Sequence, residues 1–380
     1  MRIASQHVLT PEGKAVEATV TTQGERITEV SPGIAADAEV VEEWIVPGYV
    51  DTHCHGAAGA NFADEDEDAV MAAVAHHRAM GTTTQFASTV TESLDDLVDQ
   101  IARLRRLVAA GEIAGIHLEG PFLAESRKGA HNVELLRDPT PEALDRLIEA
   151  GGPDLRMVTL APERRCGIEA VGTLSAAGVH AAFGHSEADA TTARDSVDAG
   201  ADIVTHLFNA MASIHHRKPG PVPWMLTDSR VMCELICDGV HLAPDVIRMA
   251  IRTAGPQRIG LVTDAMSATG QPDGDYMLGT LAVRVTDGRA NLLNSDGTLG
   301  AIAGSTLTMG TAVEFLVSTV GVDLPTAAVM ASTTPARWHG LDEVGQLTEG
   351  RRADMCLVGE DGHLVRVIRG GSEVDRSSLH

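Results

Sequence analysis

The segment Trp44-Ile45-Val46-Pro47-Gly48-Tyr49-Val50-Asp51-Thr52-His53-Cys54-His55-Gly56-Ala57-Ala58-Gly59 decides how the chain is read. Its apolar half predicts a strand over Val46 to Thr52, and its polar half predicts the loop into which that strand runs out. Side chains alternate across a strand, so His53 and His55 project to one side while Cys54 points away. Two imidazoles on one face at a strand's end can grip one divalent cation, which is how a barrel enzyme opens a metal site. His-x-His pairs also arise by chance, so the rest of the chain has to carry the argument.

Outward from this segment the sequence alternates helical patterns with short apolar runs that end in polar clusters, from about Ala69 to Asp264. The spacing predicts helices over Asp68 to Met80, Glu92 to Ala110, Pro141 to Ala150, Ala188 to Ala199 and Pro244 to Ala254. Besides Val46 to Thr52, strands are expected at Thr83 to Ser88, Ala114 to Leu118, Arg156 to Leu160, His180 to Gly184, Ile203 to Thr205, Met232 to Ile236 and Ile259 to Thr263. Such a series of β/α units implies an α/β protein built on a closed parallel (β/α)8 TIM-like barrel, with reactive residues at the C-terminal ends of the strands. The two ends of the chain read instead as short strands with turn signals, and residues 1–45 with 345–380 are expected to pair into a small β-sandwich domain beside a 46–344 barrel. Asp273 to Thr298, rich in Asp, Gly and alternating Val and Leu, reads as an inserted hairpin.

Size and composition agree. A chain of 380 residues accommodates a barrel of ~250 residues plus a minor domain. No window approaches the roughly 18 uninterrupted apolar residues of a membrane span, and the N-terminus lacks a secretory pattern, so a cytoplasmic protein is expected. The five cysteines show no Cys-x-x-Cys spacing and read as reduced and structural. A net charge of −24 disfavours nucleic acid and anionic membranes as partners. It leaves room for a small anionic metabolite, because screening over about 8 Å lets a local cluster of donors dominate inside a cleft.

Four further polar residues close predicted strands: Glu119, His185, His206 and Asp264. With His53 and His55 they would converge on one barrel mouth. Neutral imidazoles plus a carboxylate form a ligand field that suits Zn2+ or Fe2+ and is too rich in nitrogen for Mg2+ or Ca2+. Hydrolysis is the natural chemistry of such a site, because a bound cation generates hydroxide at neutral pH.

Several segments carry a resemblance: His53-Cys54-His55, His117-Leu118-Glu119-Gly120-Pro121-Phe122, Gly184-His185-Ser186, Thr205-His206-Leu207-Phe208-Asn209-Ala210-Met211, Asp238-Gly239-Val240-His241 and Val262-Thr263-Asp264-Ala265. Together they resemble the motifs of the N-acetylglucosamine-6-phosphate deacetylase family, within the amidohydrolase superfamily. The likeness runs over nearly the whole chain and includes Gly345-Gln346-Leu347-Thr348-Glu349-Gly350 and Ala353-Asp354. Lysine separates this family from relatives that bridge two metals with a carboxylated lysine: Lys14, Lys128 and Lys218 are the only lysines, and none falls at a predicted strand end.

The resemblance implies roles. Glu119, His185 and His206 would hold the catalytic cation, and His53 and His55 with Glu119 a second, giving one or two divalent ions per subunit. Family members differ in whether they keep the His-x-His pair. Asp264 would be the general base and acid, and His131 would stabilise the oxyanion. Arg217 would bind the phosphate of a sugar-phosphate substrate, with Ala130, Asn209, Ala210, His241, Ile302 and Ala303 completing the pocket. A homodimer is implied as well, with the possibility that pocket residues cross its interface. His76, His77, His180, His339 and His363 read as packing or solvent residues, Cys233 and Cys237 as core, and His215-His216 departs from the commoner family loop.

Overall fold

The computed structural model describes residues 1–377. Eight parallel strands lie side by side in chain order: β1 (Tyr49–Asp51), β2 (Thr82–Thr89), β3 (Gly115–Glu119), β4 (Leu155–Leu160), β5 (His180–Phe183), β6 (Ile203–Val204), β7 (Met232–Ile236) and β8 (Ile259–Val262). The seam between β8 and β1 closes at the mouth. There the His53 carbonyl accepts the Asp264 N–H at 2.8 Å, and the Ala265 carbonyl accepts the His55 N–H at 2.8 Å. Below these, Asp51 accepts the Thr263 hydroxyl at 2.6 Å.

Alternation along each strand sorts the chemistry. Ile116 and Leu118 join the apolar layer under the helices, as do Val158 and Leu160. The intervening His117 and Thr159 are also fully buried but meet each other, Nε2 to Oγ1 at 2.8 Å, so they occupy the barrel's inside. Glu119, two residues after His117, therefore faces inward at the mouth. The expected helices are present with caps that explain their starts: Asp66 caps Glu67–Ala79, Ser93 caps Leu94–Ala109, Thr140 caps Pro141–Gly151 and Asp189 caps Ala190–Ala199. Pro244–Ala254 matches the expected limits. The helices not among those expected include the short Val222–Thr227 between β6 and β7, those after β8, and Gly167–Ala176, whose two glycines and small residues blur the periodicity and where Cys166 offers no side-chain cap.

The terminal segments form one mixed sheet of eight strands, running Ser372–Glu373, Leu364–Arg369, Met355–Val358, Trp44–Pro47, Arg2–Leu9, Ala15–Gln23 and Arg26–Pro32, with Glu39–Val40 beside Arg2–Leu9. It curls so that Val20 and Ile27 near one edge share a core with Met355 and Ile368 near the other. The expected strand Val46 to Thr52 is divided. Trp44–Pro47 pairs with Met355–Val358 in the terminal sheet, and Tyr49–Asp51 pairs with β2 in the barrel. Gly48 is the pivot, since a Cβ there would lie 2.3 Å from Thr83 Oγ1. The inserted segment is larger than a hairpin. Gly274–Leu278, Leu281–Thr286, Arg289–Leu293 and Leu299–Ile302 make a four-stranded antiparallel sheet that leans over the mouth.

Gly48→Ala should destabilise the protein by about 1–3 kcal/mol through this overlap. Urea unfolding midpoints check this, and adding Thr83→Ala, which removes Oγ1 and Cγ2 but leaves Cβ 2.9 Å away, should recover part of the loss.

Candidate metal centre and active site

Three strand ends carry their polar side chain on a left-handed backbone: His185 (φ 47°), His206 (φ 31°) and Asp264 (φ 50°). For residues with a Cβ this costs of order 1–3 kcal/mol each, so the surrounding hydrogen bonds have to impose it. The effect is to turn each side chain off its strand and into the barrel axis. His53 and His55 arrive from β1 by the alternation that their spacing predicts, and Glu119 ends β3.

The side chains meet in one buried cup. Glu119 Oε1 lies 3.0 Å from His206 Nε2 and 3.1 Å from His185 Nε2. Its other oxygen, Oε2, lies 3.1 Å from His55 Nε2 and 3.4 Å from His131 Nε2. Asp264 Oδ1 is 3.2 Å from His55 Nε2 and 3.5 Å from His53 Nε2. Nitrogen faces nitrogen as well: His185 and His206 approach to 3.0 Å through Nε2, and His53 and His55 to 3.2 Å.

Two ring tautomers follow from the partners on the far side of each ring. His185 Nδ1 donates to the Arg127 carbonyl at 2.8 Å, and His53 Nδ1 donates to Glu234 at 3.2 Å. Both Nε2 lone pairs are thereby turned toward carboxylates and neighbouring imidazoles. Lone pairs packed this closely are compatible only with positive charge among them, supplied either by protons or by a cation. Glu119 shows the demand. Burial works to raise its pKa, yet where protons supply that positive charge His53 and the hydrogen bonds from His131, His185 and His206 hold it well below the usual carboxylate range. The donor set of imidazole nitrogens and carboxylate oxygens fits a divalent metal.

A cleft of about 320 Å³ opens onto the cup. His55, Glu119, His131, His185, His206 and Asp264 form its floor, while Ala130, Asn209, Ala210, His241 and Ile302 stand on its walls. His53 is sealed behind them. Two expected residues are elsewhere. The Ala303 side chain packs with Met266, Leu278 and Val283 in the core of the inserted sheet, because alternation sends it opposite to Ile302. Arg217 is exposed on the loop after β6 and bonds His216 Nε2 at 2.6 Å, outside the cleft of its own chain. The cationic side chain that does line the cleft is Arg127, ion-paired to Glu187.

The sequence reading did not single out Glu234, fully buried between His53 and the backbone of His206, nor Asp238, whose carboxylate accepts a hydrogen bond from His241 Nδ1 at 2.7 Å. A signal for Glu234 was present, since Met232-Cys233-Glu234-Leu235-Ile236 places one charge inside an apolar buried strand. His117 appeared only within a motif. It lies beneath the cup, bonded to Ser88 Oγ at 2.9 Å and to Thr159, with its ring edge-on to His53 at 4.6 Å. His77 and His339 are buried within the packing, as expected.

Residues 44–374 match the Amidohydrolase family. An N-acetylgalactosamine-6-phosphate deacetylase of Escherichia coli O157:H7 is 34% identical over 370 residues, covering 96% of this chain and 97% of that one. An N-acetylglucosamine-6-phosphate deacetylase of Lysinibacillus sphaericus is 33% identical over 373 residues, covering 96% and 95%. Among solved structures, an N-acetyl-D-glucosamine-6-phosphate deacetylase variant from Mycobacterium smegmatis, in complex with N-acetyl-D-glucosamine-6-phosphate, superposes with a TM-score of 0.93 at 43% identity, covering 98% of this chain and 99% of its own.

Stripping divalent ions with a chelator should lower the thermal midpoint, and restoring them at ~1,000 times the dissociation constant should return about 4 kcal/mol of stability. Calorimetry checks this, and Glu119→Gln should abolish most of the metal-dependent increment.

Proposed function

The chain belongs to the amidohydrolase family, and we propose that it hydrolyses N-acetyl-D-glucosamine 6-phosphate to D-glucosamine 6-phosphate and acetate, within amino-sugar catabolism. The observation that carries this reading is the buried cup in which Glu119, His185, His206, His53, His55 and Asp264 meet beneath a cleft of metabolite size. Its nitrogen-rich donors favour Zn2+ or Fe2+. Glu119 directs one oxygen to His185 and His206 and the other toward His55, which gives the site capacity for one or two ions per subunit. A bound cation supplies Lewis acidity to the acetamide carbonyl and lowers the pKa of water.

The chain's own residues do the rest. Burial would raise the Asp264 pKa, but His53 and His55 outweigh it and bring it to about 2, so Asp264 is a carboxylate at neutral pH. Its Oδ1 takes a proton from the attacking water and returns one to the departing sugar amine. Burial lowers His131 to about 4, leaving a neutral ring. The Thr91 N–H donates to His131 Nδ1 at 3.3 Å, so the ring proton sits on Nε2, where it can donate to the oxygen that gains charge.

At the far end of the cleft, Asp238 fixes the His241 tautomer and leaves Nε2 for the substrate, beside Asn209 and Ala210. Arg217 stands outside its own cleft, so its phosphate role calls for a homodimer in which this loop serves the neighbouring subunit. Exposed Ile214 (48%) and Val240 (42%) on the same rim support an apolar contact there. The reading keeps residues 1–45 with 345–380 as the supporting β domain and 46–344 as the catalytic barrel. Five unpaired cysteines, four of them buried, agree with a reducing, cytoplasmic setting. No helix among the described residues is long and apolar enough to cross a membrane.

N-acetyl-D-galactosamine 6-phosphate is the second reading, favoured by the Escherichia coli relative's name. Acetate release from both phosphorylated sugars decides between them, and activity on neither would refute the proposal. Asp264→Asn should lower kcat by at least ~100-fold, because a positioned acid–base group typically supplies roughly 10²–10⁴; near-normal turnover would remove Asp264 from the mechanism. Arg217→Ala should weaken the 6-phosphate substrate strongly and leave unphosphorylated N-acetylglucosamine little changed, measured as kcat/KM for each. Equal losses on both would rule out the phosphate role.

A further inference from the structure

The two histidines of the His-x-His pair are anchored differently. His55 Nδ1 is buried and has no hydrogen-bond partner among the described residues, whereas His53 Nδ1 donates to Glu234 Oε2 at 3.2 Å. The same Glu234 oxygen accepts the backbone N–H of His206 at 3.3 Å, and the Glu234 carbonyl accepts the Leu207 N–H at 2.9 Å. Glu234 is fully buried, and its other carboxylate oxygen, Oε1, has no partner among the described residues. Among the described residues no lysine or arginine pairs with it, and its ion-pair partner is His53 of the cup.

A carboxylate sealed in the barrel with half of its acceptor capacity unused is costly unless something needs its charge. The geometry supplies the reason. A negative partner behind His53 Nδ1–H makes the opposite nitrogen a stronger donor and locks the ring's rotation. The bond to His206 N–H helps to hold that residue at φ 31°, the conformation that turns its ring toward Glu119. One oxygen thus touches a residue from each of the two candidate ion positions.

We infer that Glu234 is a positioning residue that sets metal affinity at the His53/His55 position and ties that position to His206. This rests on the metal-dependent reading above. Glu234→Gln is the discriminating change. Its carbonyl oxygen can take both bonds of Oε2, and its amide occupies the place of Oε1, where no bond is broken; the charge is lost and the shape is kept.

Metal-free wild type and E234Q are titrated with Zn2+ alone by calorimetry under a competing chelator, and with Co2+ alone by visible absorption. The step missing from His55→Ala identifies the His53/His55 position. In E234Q that step should weaken by about 10–100-fold and its Co2+ bands should shift, while the other step stays within about threefold and the metal-free thermal midpoint stays near wild type. Unchanged constants and bands in E234Q overturn the inference, as does a single Zn2+ step in wild type. Wild type that takes up no metal and releases no acetate sinks the underlying reading instead. Should E234Q not fold, 15N-histidine spectra of the wild type serve: a slowly exchanging His53 Nδ1–H supports the inference, and its absence overturns it.

Discussion

Five imidazoles and two carboxylates crowd within 3.0–3.6 Å contacts in a space nearly closed to solvent, and everything else at the barrel mouth serves that concentration of lone pairs. Without compensating positive charge the arrangement is unfavourable, because removing ionised and polar groups from water costs several kcal/mol per ion. The surroundings therefore work in one direction. The Arg127 carbonyl and the Glu234 carboxylate hold ring protons outward, so that lone pairs face inward. Backbone strain at His185, His206 and Asp264 brings the remaining donors to the same point. Metal affinity and local strain are two sides of one construction: the binding energy of a cation would offset what this crowding and strain cost.

The layer beneath the cup shows how a barrel supports such a site. Ser88 on β2, His117 on β3, Thr159 on β4 and Thr205 just past the end of β6 form a chain of hydrogen bonds at 2.8–2.9 Å whose last link passes over β5 inside the barrel, all buried. Burial keeps His117 well below the usual histidine range, and the nearby His53 adds to the effect, so the ring is neutral and can bridge a hydroxyl on each side. A neutral, fully bonded layer fixes the floor without adding charge beside the cation. An aliphatic layer would fill the volume as well but could not hold strand register through directional bonds.

Legibility in the sequence followed periodicity and position. The parallel strands were readable because each is a short apolar run with a polar terminus, and the ligand candidates because they sit at those termini. Glu119, His185, His206, His53, His55, Asp264 and His131 do meet in one place. What escaped depends on long-range neighbours. Glu234 is unremarkable until His53, 181 positions away, is seen against it. Ala303 was expected in the pocket beside Ile302 from the resemblance, but strand alternation separates the two side chains. The sequence names Arg217 for the phosphate but not the position of its loop, whose path is not encoded in local propensity. Gly167–Ala176 was hidden for the opposite reason: its helix is held by tertiary packing of Ala170, Val171 and Leu174 rather than by propensity.

The division of the first predicted strand at Gly48 has a mechanical consequence. Trp44–Pro47 is locked between Arg2–Leu9 and Met355–Val358, and Gly48 N–H donates to the Asp354 carbonyl at 3.0 Å. Arg352 pairs with Asp354 and donates to the Thr83 carbonyl at 3.0 Å, reaching the start of β2. The strand that carries His53 and His55 thus leaves a fixed sheet only a few residues before the cup, with little slack in between. Terminal segments that contribute no side chain to the cleft still determine where the His-x-His pair stands. Loosening their pairing would displace two ring nitrogens relative to Glu119, whose position depends on β3 and its neighbours β2 and β4. Support at the closed end of the barrel and precision at the open end are therefore coupled through a strand three residues long.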